Sequence, residues 1–142
     1  MKVFINDVHY VPAEDASELP EGYLSPHFRE SEFTCNHCNS LEGHKVADEL
    51  LRVLELCRTH FSNAPITVNS GYRCLTHNAN VGSNESSQHR QATAADIVVK
   101  NVTPAKVYDY LITSYPGAYG IGSYGTFTHI DVRPNKSRWD LT

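Results

Sequence analysis

Two short segments in the C-terminal half of the chain contain side chains of the kinds that bind a metal ion. Residues 87–96 read SQHRQATAAD and residues 127–133 read FTHIDVR. They supply His89, Asp96 and His129, and both imidazole nitrogen and carboxylate oxygen are good zinc ligands. Because three protein ligands leave a fourth position for water, this set is typical of a catalytic zinc rather than a structural one. The two segments therefore predict the site of a small metallohydrolase.

The strands around these residues are expected to position them. Asp96 lies within the apolar run 94–99, which predicts a buried strand, and a buried carboxylate is costly unless it is paired or bound to metal. On the strand predicted over 127–132, residues two apart share a face, so His129 and Asp131 point the same way. Each of these residues alone has a simpler explanation as a hydrogen-bonded core residue, and the spacing of the first histidine and the aspartate is not a self-sufficient motif.

The rest of the chain mixes helices and strands. Residues 45–61 carry apolar side chains at helical spacing, and Thr103 followed by Pro104 predicts a helix that runs to about residue 113. Because helices and strands do not alternate regularly, we expect an α+β fold with a small antiparallel sheet and flanking helices. The other predicted elements are a hairpin over 3–11, a loop over 12–26, a strand over 66–68, a mostly irregular stretch over 75–93, and two strands over 120–124 and 127–132.

Length and charge narrow the classes of function. The 142 residues fit one domain with a single core, and the formal net charge of −4 gives no electrostatic argument for binding nucleic acid or a membrane. No stretch approaches the roughly 20 apolar residues that a membrane span requires. The first residues lack the apolar core and the cleavage site of a secretory signal, so we expect synthesis in a cytoplasm.

The four cysteines leave several interpretations open. Cys35 and Cys38 have the spacing of half a zinc knuckle, but Cys57 and Cys74 form no close pair that would complete it. A second zinc with two distant ligands, a disulfide, and two reduced thiols in a loop are all compatible with the sequence. Cys57 lies on the apolar stripe of the helix predicted over 45–61, which favours a small buried residue. A redox role is disfavoured, because the first pair does not lie at the strand-to-helix junction of a thioredoxin-like pattern.

Four segments of the chain resemble, in this order, the motifs of one enzyme family. They are HFRESEFTC (27–35), NSGYRC (69–74) followed by His77 and Asn78, SQHRQATAAD (87–96), and GIG (120–122) leading into FTHIDVR (127–133). The family is that of the zinc D-alanyl-D-alanine carboxypeptidases, which also contains phage endolysins that cut L-alanyl-D-glutamate bonds. Its fold is shared with the Hedgehog signalling domain. The resemblance covers about residues 26–139.

The resemblance implies a Hedgehog/DD-peptidase-like fold with His89, Asp96 and His129 as zinc ligands and water in the fourth position. It also implies that zinc activates this water and polarises the scissile carbonyl. Arg73 corresponds to a family arginine beside the metal, where its guanidinium suits a substrate carboxylate or an oxyanion. Ser87 is expected either to orient substrate or to cap a nearby backbone group.

The chain departs from the family pattern at two positions. Many relatives have Asp or Glu as the general base three residues before the last histidine, where this chain has Thr126, which cannot accept a proton near neutral pH. Either Asp131 acts as the base, or Asp131 holds His129 in the required tautomer, or catalysis is absent. Asp131 is the leading candidate for the base. Ala92 replaces a common glycine with little change in volume.

The sequence thus leads to the hypothesis of a zinc-dependent peptidase that hydrolyses amide bonds next to D-amino acids in peptidoglycan stem peptides. In this hypothesis Asp131 and Arg73 are catalytic, and Arg73 and Ser87 contact substrate. Residues 1–25 are expected to be peripheral, and residues 26–142 to form the peptidase domain. From its size and architecture we expect a monomer, encoded by a phage or prophage, that acts on the bacterial cell wall. The alternative is a non-catalytic, zinc-stabilised structural or binding module of a phage particle.

Overall fold

The architecture is α+β, as the sequence predicts. Three α-helices lie in the described part of the chain, namely α1 (Asp48–His60), α2 (Leu75–Asn80) and α3 (Pro104–Ser114). Two short 3₁₀ helices span Glu30–Glu32 and Gln88–Gln91. The computed structural model describes residues 3–5, 8–10, 19, 21–80 and 87–141, without side chains for 3–5, 8–10, 77 and 80.

One five-stranded sheet forms the centre of the molecule. Its strands are β5 (Ile66–Ser70), β6 (Ala94–Val99), β7 (Gly120–Ser123), β8 (Thr128–Asp131) and β9 (Ser137–Asp140), in the spatial order β5-β6-β8-β7-β9. The first three pairings in this order are antiparallel, in agreement with the prediction, whereas β9 joins β7 in parallel. Two separate antiparallel hairpins pair β1 (Val3–Ile5) with β2 (Val8–Tyr10), and β3 (Tyr23–Ser25) with β4 (Phe28–Arg29).

Several short elements differ from the sequence prediction. The stretch 75–93, expected to be irregular, contains α2 and the 3₁₀ helix Gln88–Gln91, and β3 lies inside the predicted loop 12–26. Strand β9 was not predicted at all. Elements this short have too few residues for a periodic pattern, so they are defined by contacts with the rest of the fold. The turn of the first hairpin and most of the loop 12–26 lie outside the described residues.

Helices α1 and α3 cover the sheet and enclose the main core. Helix α1 is buried along most of its length because seven of its residues, between positions 50 and 57, are shielded from solvent. Helix α3 begins as predicted, since the side chain of Thr103 accepts a hydrogen bond from Lys106 N and Pro104 follows it. The largest fully buried aliphatic side chains of this core are Leu50, Leu51, Leu54, Ile97, Leu111, Ile121 and Ile130. Within the described residues, no helix has the length and apolar character needed to cross a membrane.

Glu55 is a buried carboxylate in the middle of the apolar helix α1. It is 4% exposed and accepts hydrogen bonds from Ser25 Oγ at 2.7 Å and from His27 N at 2.8 Å. The Nδ1 atom of His27 lies 2.6 Å from Oε1, the second carboxylate oxygen of Glu55. Because a buried charge needs such partners, Glu55 ties the β3–β4 hairpin to the helix. The expected division between residues 25 and 26 stays a prediction.

Replacing Glu55 by alanine is expected to lower the free energy of unfolding by about 3 kcal/mol, because Ser25 and the His27 backbone lose a charged acceptor. Chemical denaturation monitored by circular dichroism measures this change. Thr113→Ala, at an exposed position of α3, is the control and should change stability by less than about 0.5 kcal/mol. Equal stability of the two variants would show that the Glu55 contacts contribute nothing.

Candidate metal site

The register of the central sheet brings two of the three predicted ligands side by side. Asp96 on β6 lies directly opposite His129 on β8, while Ser70 on β5 pairs with Asp96 from the other side. His89 comes from outside the sheet, from the 3₁₀ helix Gln88–Gln91. All three predicted ligands are buried. One short helix and two adjacent strands therefore build the site.

The distances between the three side chains suit a shared metal ion. One ligand atom from each of His89, Asp96 and His129 lies within 4.8 Å of the others. Asp96 Oδ1 is 3.3 Å from His89 Nε2 and 3.0 Å from His129 Nδ1. Two nitrogen or oxygen ligands of a tetrahedral zinc are about 3.3 Å apart, given bonds of about 2.0–2.1 Å. The side chains thus lie close to the spacing that zinc coordination requires.

The orientation of His89 leaves one nitrogen available to a metal. Its Nδ1 lies 2.7 Å from the carbonyl oxygen of Gly71, which can only accept, so Nδ1 carries the hydrogen. Nε2 is therefore the nitrogen that can offer a lone pair to a metal. This atom is buried and has no hydrogen-bond partner among the described residues. A metal-binding histidine usually binds the ion through one ring nitrogen while its other N–H donates to a backbone carbonyl, as Nδ1 of His89 does here.

Asp131 contacts the other side of the His129 ring. Its Oδ2 lies 2.7 Å from His129 Nε2, whereas Asp96 faces Nδ1. The carboxylate is fully buried and also accepts hydrogen bonds from Arg133 Nε, Nη2 and N and from Gly120 N. These contacts are the ones expected if Asp131 fixes the tautomer of His129, and its role stays a prediction.

The electrostatic balance of the cluster keeps both carboxylates ionised. Burial by itself would raise the pKa of Asp96, but the neighbouring His129 and His89 side chains outweigh burial and hold that pKa well below its usual range. Burial likewise raises the pKa of Asp131, yet His129 and Arg133 lower it to about 2. Burial would lower the pKa of His129, but Asp131 and Asp96 raise it. Two buried negative charges face the histidines, which suits the binding of a cation.

The two predicted substrate residues lie next to these ligands. Arg73 Nη2 is 3.0 Å from Asp96 Oδ2, and its Nε donates to Ser70 Oγ at 3.1 Å. Its backbone N–H donates to the carbonyl of His89. Ser87 caps the 3₁₀ helix, since its hydroxyl accepts a hydrogen bond from His89 N at 3.2 Å. Ser87 therefore takes the capping alternative, and its contact with substrate stays a prediction.

The two departures from the family pattern occupy different environments. Thr126 is exposed in the turn between β7 and β8, beside the stacked rings of Tyr124 and Phe127. Ala92 has a φ of 59°, in the left-handed region. Backbone conformation rather than volume therefore accounts for the glycine that is common at this position, because glycine adopts positive φ without steric cost.

Sequence reasoning missed three groups that surround the site. The carbonyl of Gly71 orients His89, and the guanidinium of Arg133 donates hydrogen bonds to both oxygens of Asp131. Trp139 on β9 lies opposite Gly122 and places its ring 5.1 Å from the ring of His129. Gly71 and Arg133 belong to quoted motifs, so a signal for them existed. Trp139 had none, because the pairing of β9 is not readable from four residues.

Comparison with known proteins assigns this arrangement to a family. The model of the family described as Peptidase M15 matches residues 26–131, which is most of the chain, so the protein belongs to the Peptidase M15 family. The chain is also similar to a zinc D-Ala-D-Ala carboxypeptidase of Streptomyces albus G, with 38% identity over 71 residues. This match covers 44% of the chain and 28% of the length of that relative.

Gly71→Ala is expected to weaken metal binding, because a Cβ atom at this position would lie 2.7 Å from Phe33 Cα and 2.8 Å from Phe33 O. The backbone must shift, and the carbonyl that orients His89 shifts with it. We expect a loss of about 2 kcal/mol in stability and a zinc dissociation constant raised about 10- to 100-fold. Thermal unfolding and competition with a chromogenic chelator measure the two effects. Gly125→Ala, where the added methyl meets open space, is the control, and equal zinc affinity in both variants would contradict this role of Gly71.

Proposed function

We propose that the protein is a zinc-dependent peptidase that hydrolyses amide bonds next to D-amino acids in peptidoglycan stem peptides. The observation that carries the proposal is the buried Nε2 of His89, which makes no hydrogen bond among the described residues and faces Asp96 and His129 at ligand spacing. Membership of the Peptidase M15 family supports peptide hydrolysis as the reaction. The similarity to a zinc D-Ala-D-Ala carboxypeptidase supports both the metal and the class of substrate.

The residues that would hold zinc are His89 through Nε2, Asp96 through Oδ1 and His129 through Nδ1. Zinc bound by three protein ligands supplies an activated water and a Lewis acid for the scissile carbonyl. The protein contributes rigid ligand positions, because Gly71 fixes the ring of His89 and the sheet register fixes the other two. This preorganisation allows the ligands to bind without rearrangement.

Arg73 would bind negative charge on the substrate. Its guanidinium lies 3.0 Å from Asp96 and its side chain is 12% exposed, so it borders the metal ligands while retaining access to solvent. A guanidinium presents several donors in a plane, which matches either a terminal carboxylate or the developing oxyanion. Release of a C-terminal D-amino acid would use the contact with the terminal carboxylate. Cleavage within a stem peptide would use the contact with the oxyanion.

Asp131 would act as a positioning residue rather than as the general base. Its carboxylate accepts from His129, Arg133 and Gly120, and these donors occupy both oxygens. Proton transfer from a water on the Asp96 side would require it to break these contacts, because it lies on the opposite edge of the imidazole. Its role in this proposal is to hold Nε2–H of His129 so that Nδ1 faces the metal.

A second candidate function is a non-catalytic, zinc-stabilised module of a phage particle. The observations that favour it are the exposed Thr126 at the position of the family base and the complete engagement of Asp131. Such a module would keep the three ligands and bind zinc without cleaving peptides.

Purified protein with zinc, incubated with muropeptides that end in D-Ala-D-Ala, is expected to release D-alanine or to generate new amino termini, detected by mass spectrometry. Chelation should abolish the reaction, and added zinc should restore it, because zinc supplies the activated water. His89→Ala should lose one equivalent of zinc together with all activity.

The matched control substrate carries L-alanine in place of the D-residues and should remain intact. If the wild-type protein has zinc bound at the His89 site and still cleaves nothing, the peptidase is excluded and the non-catalytic module is favoured. Equal cleavage of both diastereomers would contradict the substrate class but leave zinc-dependent hydrolysis standing.

Asp131→Asn separates positioning from base catalysis. As a positioning residue, Asp131 sets metal affinity, so the variant should bind zinc about 10- to 100-fold more weakly and recover most of its kcat at saturating zinc. Loss of a general base would instead lower kcat by about 10²–10⁴ even with zinc fully bound. Steady-state kinetics over a zinc titration distinguish the two, and circular dichroism verifies that the variant is folded.

A further inference from the structure

A second group of metal-binding side chains lies apart from the three predicted ligands. The sulfur atoms of Cys35, Cys38 and Cys74 lie within 4.8 Å of one another, and none of the three cysteines forms a disulfide bond. His37 lies beside this group, since its Nδ1 is 3.6 Å from Cys74 Sγ. Its ring nitrogens are not within 4.8 Å of all three sulfur atoms, so the ring would have to turn towards them to bind the same ion. The sequence placed only Cys35 and Cys38 together, so the fold supplies the missing partners.

The backbone brings these residues together through specific hydrogen bonds. Residues 35–40 form a tight turn, in which Asn39 N donates to Cys35 O at 2.7 Å and Cys35 N donates to Ser40 O at 3.0 Å. The chain segment that contains Cys74 is attached to this turn, because Tyr72 N donates to Phe33 O at 2.8 Å. The cluster therefore joins two segments that are far apart in sequence.

The environment of Cys35 suits a metal-bound thiolate. Its sulfur accepts hydrogen bonds from the backbone N–H groups of His37 and Cys74, each at 3.4 Å. Cys35 is completely buried and Cys74 is 6% exposed, whereas Cys38 closes the cluster from the solvent side. Hydrogen bonds to ligand sulfur from nearby groups orient the ligand and tune a metal site.

The spacing also agrees with zinc coordination. With Zn–S bonds of about 2.3 Å and Zn–N bonds of about 2.0–2.1 Å, tetrahedral geometry places sulfur atoms about 3.8 Å apart and sulfur and nitrogen about 3.6 Å apart. The His37 to Cys74 distance of 3.6 Å matches the second value. The sulfur atoms need to approach one another by at most about 1 Å, which side-chain rotation can provide.

Cys57 shows what an isolated structural cysteine looks like in the same chain. It lies in the core against α1 neighbours, where burial raises the pKa of its thiol to about 12. Such an isolated buried thiol is inert. The three clustered cysteines differ from Cys57 because their sulfur atoms lie within 4.8 Å of one another, and this proximity argues against a merely apolar role for them.

We propose that Cys35, Cys38, Cys74 and His37 bind a second zinc ion, which serves a structural role. Three thiolates and one imidazole form a closed tetrahedral ligand set, which leaves no position for water. A cysteine-rich set selects zinc over harder cations such as Mg²⁺ and Ca²⁺. Binding deprotonates the three thiols, and the protons pass to solvent.

The second zinc would stabilise the turn that carries Arg73. Cys74 follows Arg73 directly in the chain, and the Arg73 side chain contacts Asp96. A metal that holds Cys74 against residues 35–38 therefore fixes one end of this turn. The structural zinc and the proposed catalytic site would be coupled through a single peptide unit.

The metal content of protein purified without chelator tests the proposal. Wild-type protein is expected to contain a second equivalent of zinc that Cys38→Ala lacks and that His89→Ala retains. The matched control is Cys57→Ala, which removes a thiol outside the cluster and should keep the wild-type zinc content. Cys38 is suited to substitution because it is exposed, so its truncation opens no cavity in the core.

Cobalt substitution gives a readout that does not depend on peptidase activity. Co²⁺ bound by thiolates produces an intense charge-transfer absorption, which should appear in the wild type, His89→Ala and Cys57→Ala, and disappear in Cys38→Ala. The proposal is overturned if Cys38→Ala and Cys57→Ala have the same zinc content and cobalt spectrum. It is also overturned if anaerobically purified wild type contains a disulfide among these cysteines, detected by alkylation and mass spectrometry.

Discussion

The buried carboxylate of Asp96 is the constraint on which the arrangement of the site depends. A negative charge at a residue that is 6% exposed, in the middle of a sheet, destabilises the fold unless cationic or hydrogen-bonding partners surround it. His129 and Arg73 provide those partners from two different chain segments, and His89 approaches Asp96 from a third. The burial that makes the charge of Asp96 costly also makes it effective for binding a cation, because a metal ion neutralises the charge where it lies.

The residues behind these partners explain how the geometry is held. In each histidine, one ring nitrogen faces Asp96 and the other is held by a hydrogen bond. The partner in that bond is the carbonyl of Gly71 for His89 and the carboxylate of Asp131 for His129. Both devices depend on close backbone approach, at Gly71 against Phe33 and at Gly120 against Asp131. Backbone groups, the sheet register and the buried carboxylate of Asp131 together position the ligands.

Local signals predicted the long elements and the candidate ligands well. The apolar stripe of α1, the cap at Thr103 and the apolar run of β6 each follow from a pattern within one segment. Motif resemblance supplied His89, Asp96 and His129 as one set, and the structure brings them within ligand distance. Short elements such as α2 and β9 were not predicted, since they depend on contacts with other segments. The cysteine cluster was predicted only in part for the same reason, because the pairing of the Tyr72 segment with Phe33 brings Cys74 to Cys35.

The sequence alone determined which chemical groups the protein has and the class of fold that carries them, because residue type and periodicity are properties of single segments. Tertiary structure decided how those groups are used. It turned Asp131 towards the far nitrogen of His129, made Ser87 a helix cap, and placed Cys74 beside Cys35 and Cys38. Each of these outcomes depends on strand register and on the direction in which a side chain leaves its backbone. Such relations between distant segments are fixed only when the whole core packs.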